Sequence, residues 1–204
     1  MRMGFFGDSY DIVKKFLIMS LAPDAEWVVF PMFTDMVDIA SIKAFEKFLG
    51  VRVIATNIIT TAPDRVDCLA SSDHLHIFID PDIGIKTGER INSNKHIFGS
   101  ELVKLCPKSP ERLLLVFDQS FPRIKGKQCE TSKKLIEDKL KYFQELNIYA
   151  FAYSSHACFI VLSASYSTYK IAYDRLLGSG LPSWRLYPEN AKQIAPMNAV
   201  EPRR

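Results

Sequence analysis

Two apolar runs in this chain end on an aspartate. Leu75-His76-Ile77-Phe78-Ile79 stops at Asp80, followed by Pro81, Asp82, Ile83 and Gly84; Leu113-Leu114-Leu115-Val116-Phe117 stops at Asp118, followed by Gln119 and Ser120. Hard cations prefer carboxylate oxygens, so Asp80, Asp82 and Asp118 are candidates to hold Mg²⁺ or Mn²⁺. Two such ions can clamp the attacking and leaving oxygens in phosphodiester hydrolysis. The plainer alternative is that Asp80 and Asp118 bond the turns that follow them, as acids at such positions do. His156 stands beside Ser154 and Ser155 between two apolar runs. An imidazole titrating near neutrality there is a candidate general acid or base, joining Asp80 and Asp118 as the catalytic set, with a plain turn histidine as the alternative. A Ser155/His156/Asp118 triad is a weaker arrangement, because adjacent residues seldom face each other across a short turn.

Substrate-binding candidates surround this set. Ser155 adjoins His156, and Arg123, Lys125 and Lys127 follow the second acid-ended run. Lys86, Arg90, Lys95 and His96 lie in a polar stretch that reads as a loop over the strand ends, able to meet an anionic substrate. Asp8 sits in the Gly7-Asp8-Ser9 turn, which would line the same rim as Asp80; its alternative role is to cap the helix that follows, with Asp11 in the first turn.

These residues need elements to hold them. Each acid-ended run is too short for an independent helix and is followed by turn residues, so both read as buried strands. In open α/β sheets ligands bind outside the carboxyl ends of the strands, which is where both acids would sit. Met3 to Phe6 is a candidate short strand. Ile12, Val13, Phe16, Leu17 and Ser20 then follow a helical spacing, with Lys14 and Lys15 on the other side. Trp27 to Phe30 is a strand ended by Pro31; Ile42, Phe45, Phe48 and Leu49 mark a helix closed by Gly50; Val51 to Ala55 is the next strand. Residues 56 to 74 carry no clear pattern. A short helix is expected within Gly99 to Cys106, and the clearest helix runs from Thr131 to Asn147 with Leu135, Ile136, Leu140, Phe143 and Leu146 along one face. Ile148 to Tyr153 and Ala157 to Leu162 form an antiparallel hairpin, Tyr169 to Leu177 a last helix, and a loosely ordered tail begins at Pro188.

Composition bounds the class. The 204 residues are 48% hydrophobic and 24% charged, ordinary globular values, with no repeat or composition break; residues 1–204 read as one α/β domain. The formal charge of +3 is too small to argue for nucleic acid alone. Cys68, Cys106, Cys129 and Cys158 form no CxxC pair and read as reduced thiols. No signal-peptide pattern precedes them, and no apolar run approaches the about 20 residues that span a bilayer. A cytoplasmic protein without a membrane partner is the expectation.

The order strand, helix, strand, two acid-ended strands, long helix and closing hairpin, over residues 27 to 165, resembles the Rossmann-like methyltransferase architecture. Asp80-Pro81-Asp82 is similar in part to the Asp-Pro-Pro-aromatic motif of the amino-methylating nucleic-acid enzymes in that class. The resemblance implies a mostly parallel Rossmann-like sheet with an antiparallel hairpin at one edge, and S-adenosylmethionine as a cofactor. The carboxylates themselves point first to a metal-dependent hydrolase of phosphate esters, acting on nucleic acid or a nucleotide. A divergent methyltransferase and a non-catalytic binding module on the same fold are the alternatives.

Overall fold

The computed structural model describes residues 6–70, 76–88, 93–106, 109–121 and 128–188. In chain order the elements are α1 (Ser9–Leu21), β1 (Trp27–Pro31), α2 (Ile39–Leu49), β2 (Arg52–Val53), α3 (Ala62–Ala70), β3 (His76–Asp80), β4 (Gly84–Lys86), β5 (His96–Phe98), α4 (Gly99–Leu105), β6 (Leu114–Asp118), α5 (Gln128–Glu145), β7 (Tyr149–Ser154), β8 (Cys158–Ser163), α6 (Tyr166–Gly178), a 3-10 turn (Ser183–Arg185) and β9 (Leu186–Tyr187). The main sheet has the order β2-β1-β3-β6-β8-β7-β9, with β4 and β5 paired separately. Strands β2, β1, β3 and β6 run parallel, and Ile77 of β3 pairs with Leu114 of β6, so the two acid-ended strands are neighbours as expected. The β7–β8 hairpin is antiparallel and enters with β8 against β6, while β9 adds outside β7. The result is a mixed α/β fold with a mostly parallel core.

Side chains alternate across each strand, which divides the core in two. Val29, Phe78, Leu115 and Phe117 pack with Leu17 and Leu21 of α1, Phe45 of α2 and Tyr169 and Tyr173 of α6. Val28, Ile77, Ile79, Leu114 and Val116 pack with Leu69 of α3, Leu102 of α4 and Ile136 and Phe143 of α5. Helices thus cover both faces of the sheet, which explains why the central strands are apolar throughout.

Several boundaries differ from the sequence pattern for physical reasons. The patternless stretch 56–74 holds α3, which buries the charged Arg65 alongside Leu69. Its guanidinium grips Glu101 of α4 through Nε and Nη2 at 2.9 and 3.0 Å, a two-pronged buried pair. The expected loop from Lys86 to His96 is bracketed by β4 and β5, which pair with each other. The helix expected from Tyr169 begins three residues earlier, where Ser165 caps it by accepting from the Thr168 N–H. The short strand expected at residues 3–6 falls, save for Phe6, outside the described residues, as does the tail beyond Pro188. Among the described residues no helix is long and apolar enough to cross a membrane.

Candidate functional site

Each strand-end aspartate meets a lysine. Asp80, 1% exposed at the end of β3, accepts from Lys14 Nζ at 2.9 Å through Oδ2. The same ammonium reaches Asp11 Oδ1 at 2.9 Å, and Asp11 accepts the Gly7 N–H through Oδ2 at 2.8 Å. Lys14 sits 4.8 Å over the Phe117 ring. Burial alone would lower the Lys14 pKa, but the carboxylates of Asp80 and Asp11 more than offset it and hold the amine above its ordinary value.

Asp118, fully buried at the end of β6, is more heavily bonded. Its Oδ1 accepts from Ile85 N at 3.1 Å, Ser120 N at 3.1 Å and Ser120 Oγ at 2.7 Å. Its Oδ2 takes Lys139 Nζ at 2.5 Å, and that nitrogen is also 2.5 Å from Ser120 Oγ. Gly84 lies directly on this group: a Cβ there would come 2.9 Å from the Asp118 Cα and strike the carboxylate, and its φ of +137° also favours glycine.

The alternation of the strands decides what these acids can share. Asp80 follows the Phe78 side of the sheet, toward α1; Asp118 follows the Val116 side, toward α5. The structure brings each to its own ammonium and not to a common cation position. Asp82 is half-buried in the turn before β4. Among the described residues no group of three or more His, Cys, Asp or Glu could hold a metal ion. Asp80 and Asp118 thus each meet an ammonium where the expected Mg²⁺ or Mn²⁺ would draw on their carboxylate oxygens. The strand order reverses between β1 and β3, the usual place for a nucleotide cofactor. There β1 leads into Pro31-Met32-Phe33 without a glycine, the Met32 N–H bonds the Asp80 carbonyl at 3.1 Å, and the Met32 and Phe33 side chains are buried.

A cavity of about 550 Å³ opens instead where the ends of β6 and β7 and the start of β8 meet. Asp118 pairs with Cys158 and Ser154 closes on the same residue, so the Ser155-His156-Ala157 turn stands beside the end of β6. His156 is exposed, its Nε2 3.3 Å from Ser9 Oγ and its Nδ1 3.4 Å from Ser155 Oγ, with the Tyr10 ring 4.8 Å away. The start of α1, which carries Asp8 as its N-cap, thus comes against His156. Lys133 of α5 and Arg185 of the 3-10 turn also line the cavity. Arg185 is anchored by donating from Nη1 to the Ser154 carbonyl at 3.2 Å, and it lies 4.1 Å over the Trp184 ring. Burial pushes the Cys158 thiol at the cavity wall well above its ordinary value, with Asp118 adding to the shift, which disfavours thiolate chemistry.

Of the residues singled out from sequence, Asp118, Ser155 and His156 line this cavity, whereas Asp8, Asp80, Asp82 and Lys95 do not. Asp8 caps α1 by accepting from Tyr10 N and Asp11 N at 2.8 and 3.2 Å, and Lys95 is exposed near β5. Arg123, with Lys125 and Lys127, lies outside the described residues, as does Arg90. Sequence reasoning missed Lys14, Lys139, Ser120 and the Trp184-Arg185 pair. On α1 the buried stripe is Asp11, Lys14, Leu17, Ile18 and Leu21, while Ile12, Phe16 and Met19 are exposed, so the apolar face assigned from sequence is turned by part of a rotation. The signal was present in the spacing of Asp11 and Lys14, an acid and a base three apart on one helix face.

The fold is that of an α/β protein compatible with the Rossmann-like class, with its open cavity at the carboxyl end of β6. Compared with protein-family models, with curated proteins and with solved structures, the chain matches none of them significantly.

Proposed function

We propose that the chain is a phosphoester-cleaving enzyme whose site is the cavity beside β6, β7 and β8. The observation that supports this reading is the convergence of two cations, Lys133 and Arg185, and an imidazole, His156, on one cavity. The carboxylate that shares the cavity, Asp118, is matched by Lys139, so the excess charge is positive and suits an anion. In this reading Arg185 and Lys133 hold the phosphoryl oxygens. His156 removes a proton from the attacking water or hands one to the leaving oxygen, and Ser9 and Ser155 orient its ring. Asp80 and Asp82 have no part in the step, and Asp118 serves to fix the end of β6.

The test is turnover of chromogenic phosphodiesters and phosphomonoesters by wild type and His156→Ala, each with chelator and with added Mn²⁺. His156 is exposed, so its removal leaves the fold intact. The expected loss in kcat is about 10²–10⁴-fold. Turnover that persists unchanged in His156→Ala refutes the assignment. Absence of turnover in the wild type, with phosphate binding retained, moves the chain to the non-catalytic binding reading.

A further inference from the structure

Trp184 is 56% exposed at the wall of this cavity, an unusual place for the largest apolar side chain. It is not loosely placed. The Arg185 guanidinium lies 4.1 Å over its ring, and Arg185 is tied to the Ser154 carbonyl of β7. The turn that carries both leads directly into β9, whose Leu186 and Tyr187 pair with Tyr153 and Ala152 of β7. The indole is therefore presented from a backbone stapled to the sheet, beside the two cations that would hold a phosphate. Phe121 and Tyr187 add aromatic surface to the same cavity. A phosphate on its own needs only the cations; a fixed, solvent-facing indole next to them suits a ligand with a flat ring attached to that phosphate. Rings of every base stack on aromatic side chains, and an arginine on the indole strengthens such a platform.

We infer that the phosphoester taken by this cavity is a nucleotide unit, with its phosphate on Arg185 and Lys133 and its base stacked on Trp184. This rests on the phosphoester reading above and adds to it the identity of the group beyond the phosphate. The unit could be a free mononucleotide or the 5′-phosphorylated end of a single strand, since both offer the same base and phosphate.

Calorimetric titration of the full chain with AMP, with ribose 5-phosphate and with a 5′-phosphorylated pentadeoxyadenylate separates the outcomes, using wild type, Trp184→Phe and Trp184→Ala. AMP should bind about tenfold or more tightly than ribose 5-phosphate. Trp184→Ala should abolish that difference and Trp184→Phe should keep most of it, with melting temperatures near wild type because the side chain is exposed. Stronger binding of the oligonucleotide than of AMP places the unit at a strand end, and the reverse identifies a free nucleotide. Equal binding of AMP and ribose 5-phosphate, unaffected by Trp184→Ala, overturns the base-stacking inference and leaves the phosphoester reading standing. Failure of all three probes to bind overturns both.

Discussion

A buried aspartate at a strand end can await a cation or can already have one, and the two cases respond oppositely to neutralisation. Asp118 has one, in Lys139, together with two backbone N–H groups and the Ser120 hydroxyl. Asp118→Asn would leave the Lys139 ammonium, itself 8% exposed, without its carboxylate. Removing one partner of a buried pair costs about 3–5 kcal/mol, and urea unfolding of this variant should show a loss of that order. A carboxylate held in a cluster for an absent metal would behave differently: its replacement relieves repulsion and stabilises the protein. An Asp118→Asn protein as stable as wild type would therefore favour the metal-site expectation. At this scale the sequence disclosed the acids and the catalytic candidate His156, because an acid ending an apolar run is a local pattern. It did not disclose Lys14 or Lys139, because a lysine on a helix reads as solvated until the helix is docked. Nor did it disclose Trp184 and Arg185, which lie in a short turn with no period to mark their direction.

The elements followed from the sequence wherever burial produced a pattern. The strands Trp27–Pro31, His76–Asp80 and Leu114–Asp118 and the β7–β8 hairpin are buried runs, and their neighbours in the sheet follow from the parallel order. Where a polar group does the burying, the pattern failed. In α3 the charged Arg65 is buried beside Leu69, and β4, besides burying Ile85, is tied by the bond from Ile85 N to Asp118. That bond makes β4 sensitive at one position, Gly84, where the backbone passes over the Asp118 carboxylate in a left-handed conformation. Gly84→Ala should cost at least about 1–3 kcal/mol from overpacking alone, with the strained φ adding to it. Gly88, on the same segment, has open space where a Cβ would go, so Gly88→Ala is the control and should be near neutral. Comparable melting temperatures for the two variants would mean that β4 does not rest on Asp118.

Across the whole molecule the two lysine pairs have one arrangement, used once on each face of the sheet. Lys14 ties α1 to the end of β3 on one side, and Lys139 ties α5 to the end of β6 on the other. Apolar packing lets a helix slide or turn on a sheet at modest cost, whereas a buried ammonium must find its carboxylate, so each pair sets the position of a helix layer. Fixing α1 matters for the cavity, because Ser9 and Tyr10 at its start touch His156. Lys14→Met removes the charge and keeps most of the apolar stem, leaving Asp11 and Asp80 buried without a cation. The expected loss at neutral pH is about 3–5 kcal/mol. Its pH dependence follows from linkage. In the wild type the Lys14 pKa is raised above 10.5, so its contribution is complete below that value and fades only as pH rises through the higher folded value. Between pH 4 and 7 the wild-type lysine therefore does not titrate. In Lys14→Met the uncompensated carboxylates are relieved by protonation, so the variant should approach wild type as pH falls from 7 toward 4. Lys14→Met/Asp80→Asn should recover much of the loss at pH 7 by removing one of the stranded charges. Melting curves of the three proteins at pH 4, 5.5 and 7 measure both effects. A deficit that is constant with pH and unchanged in the double variant would mean that apolar packing alone seats α1, and that the buried pair does not set its position.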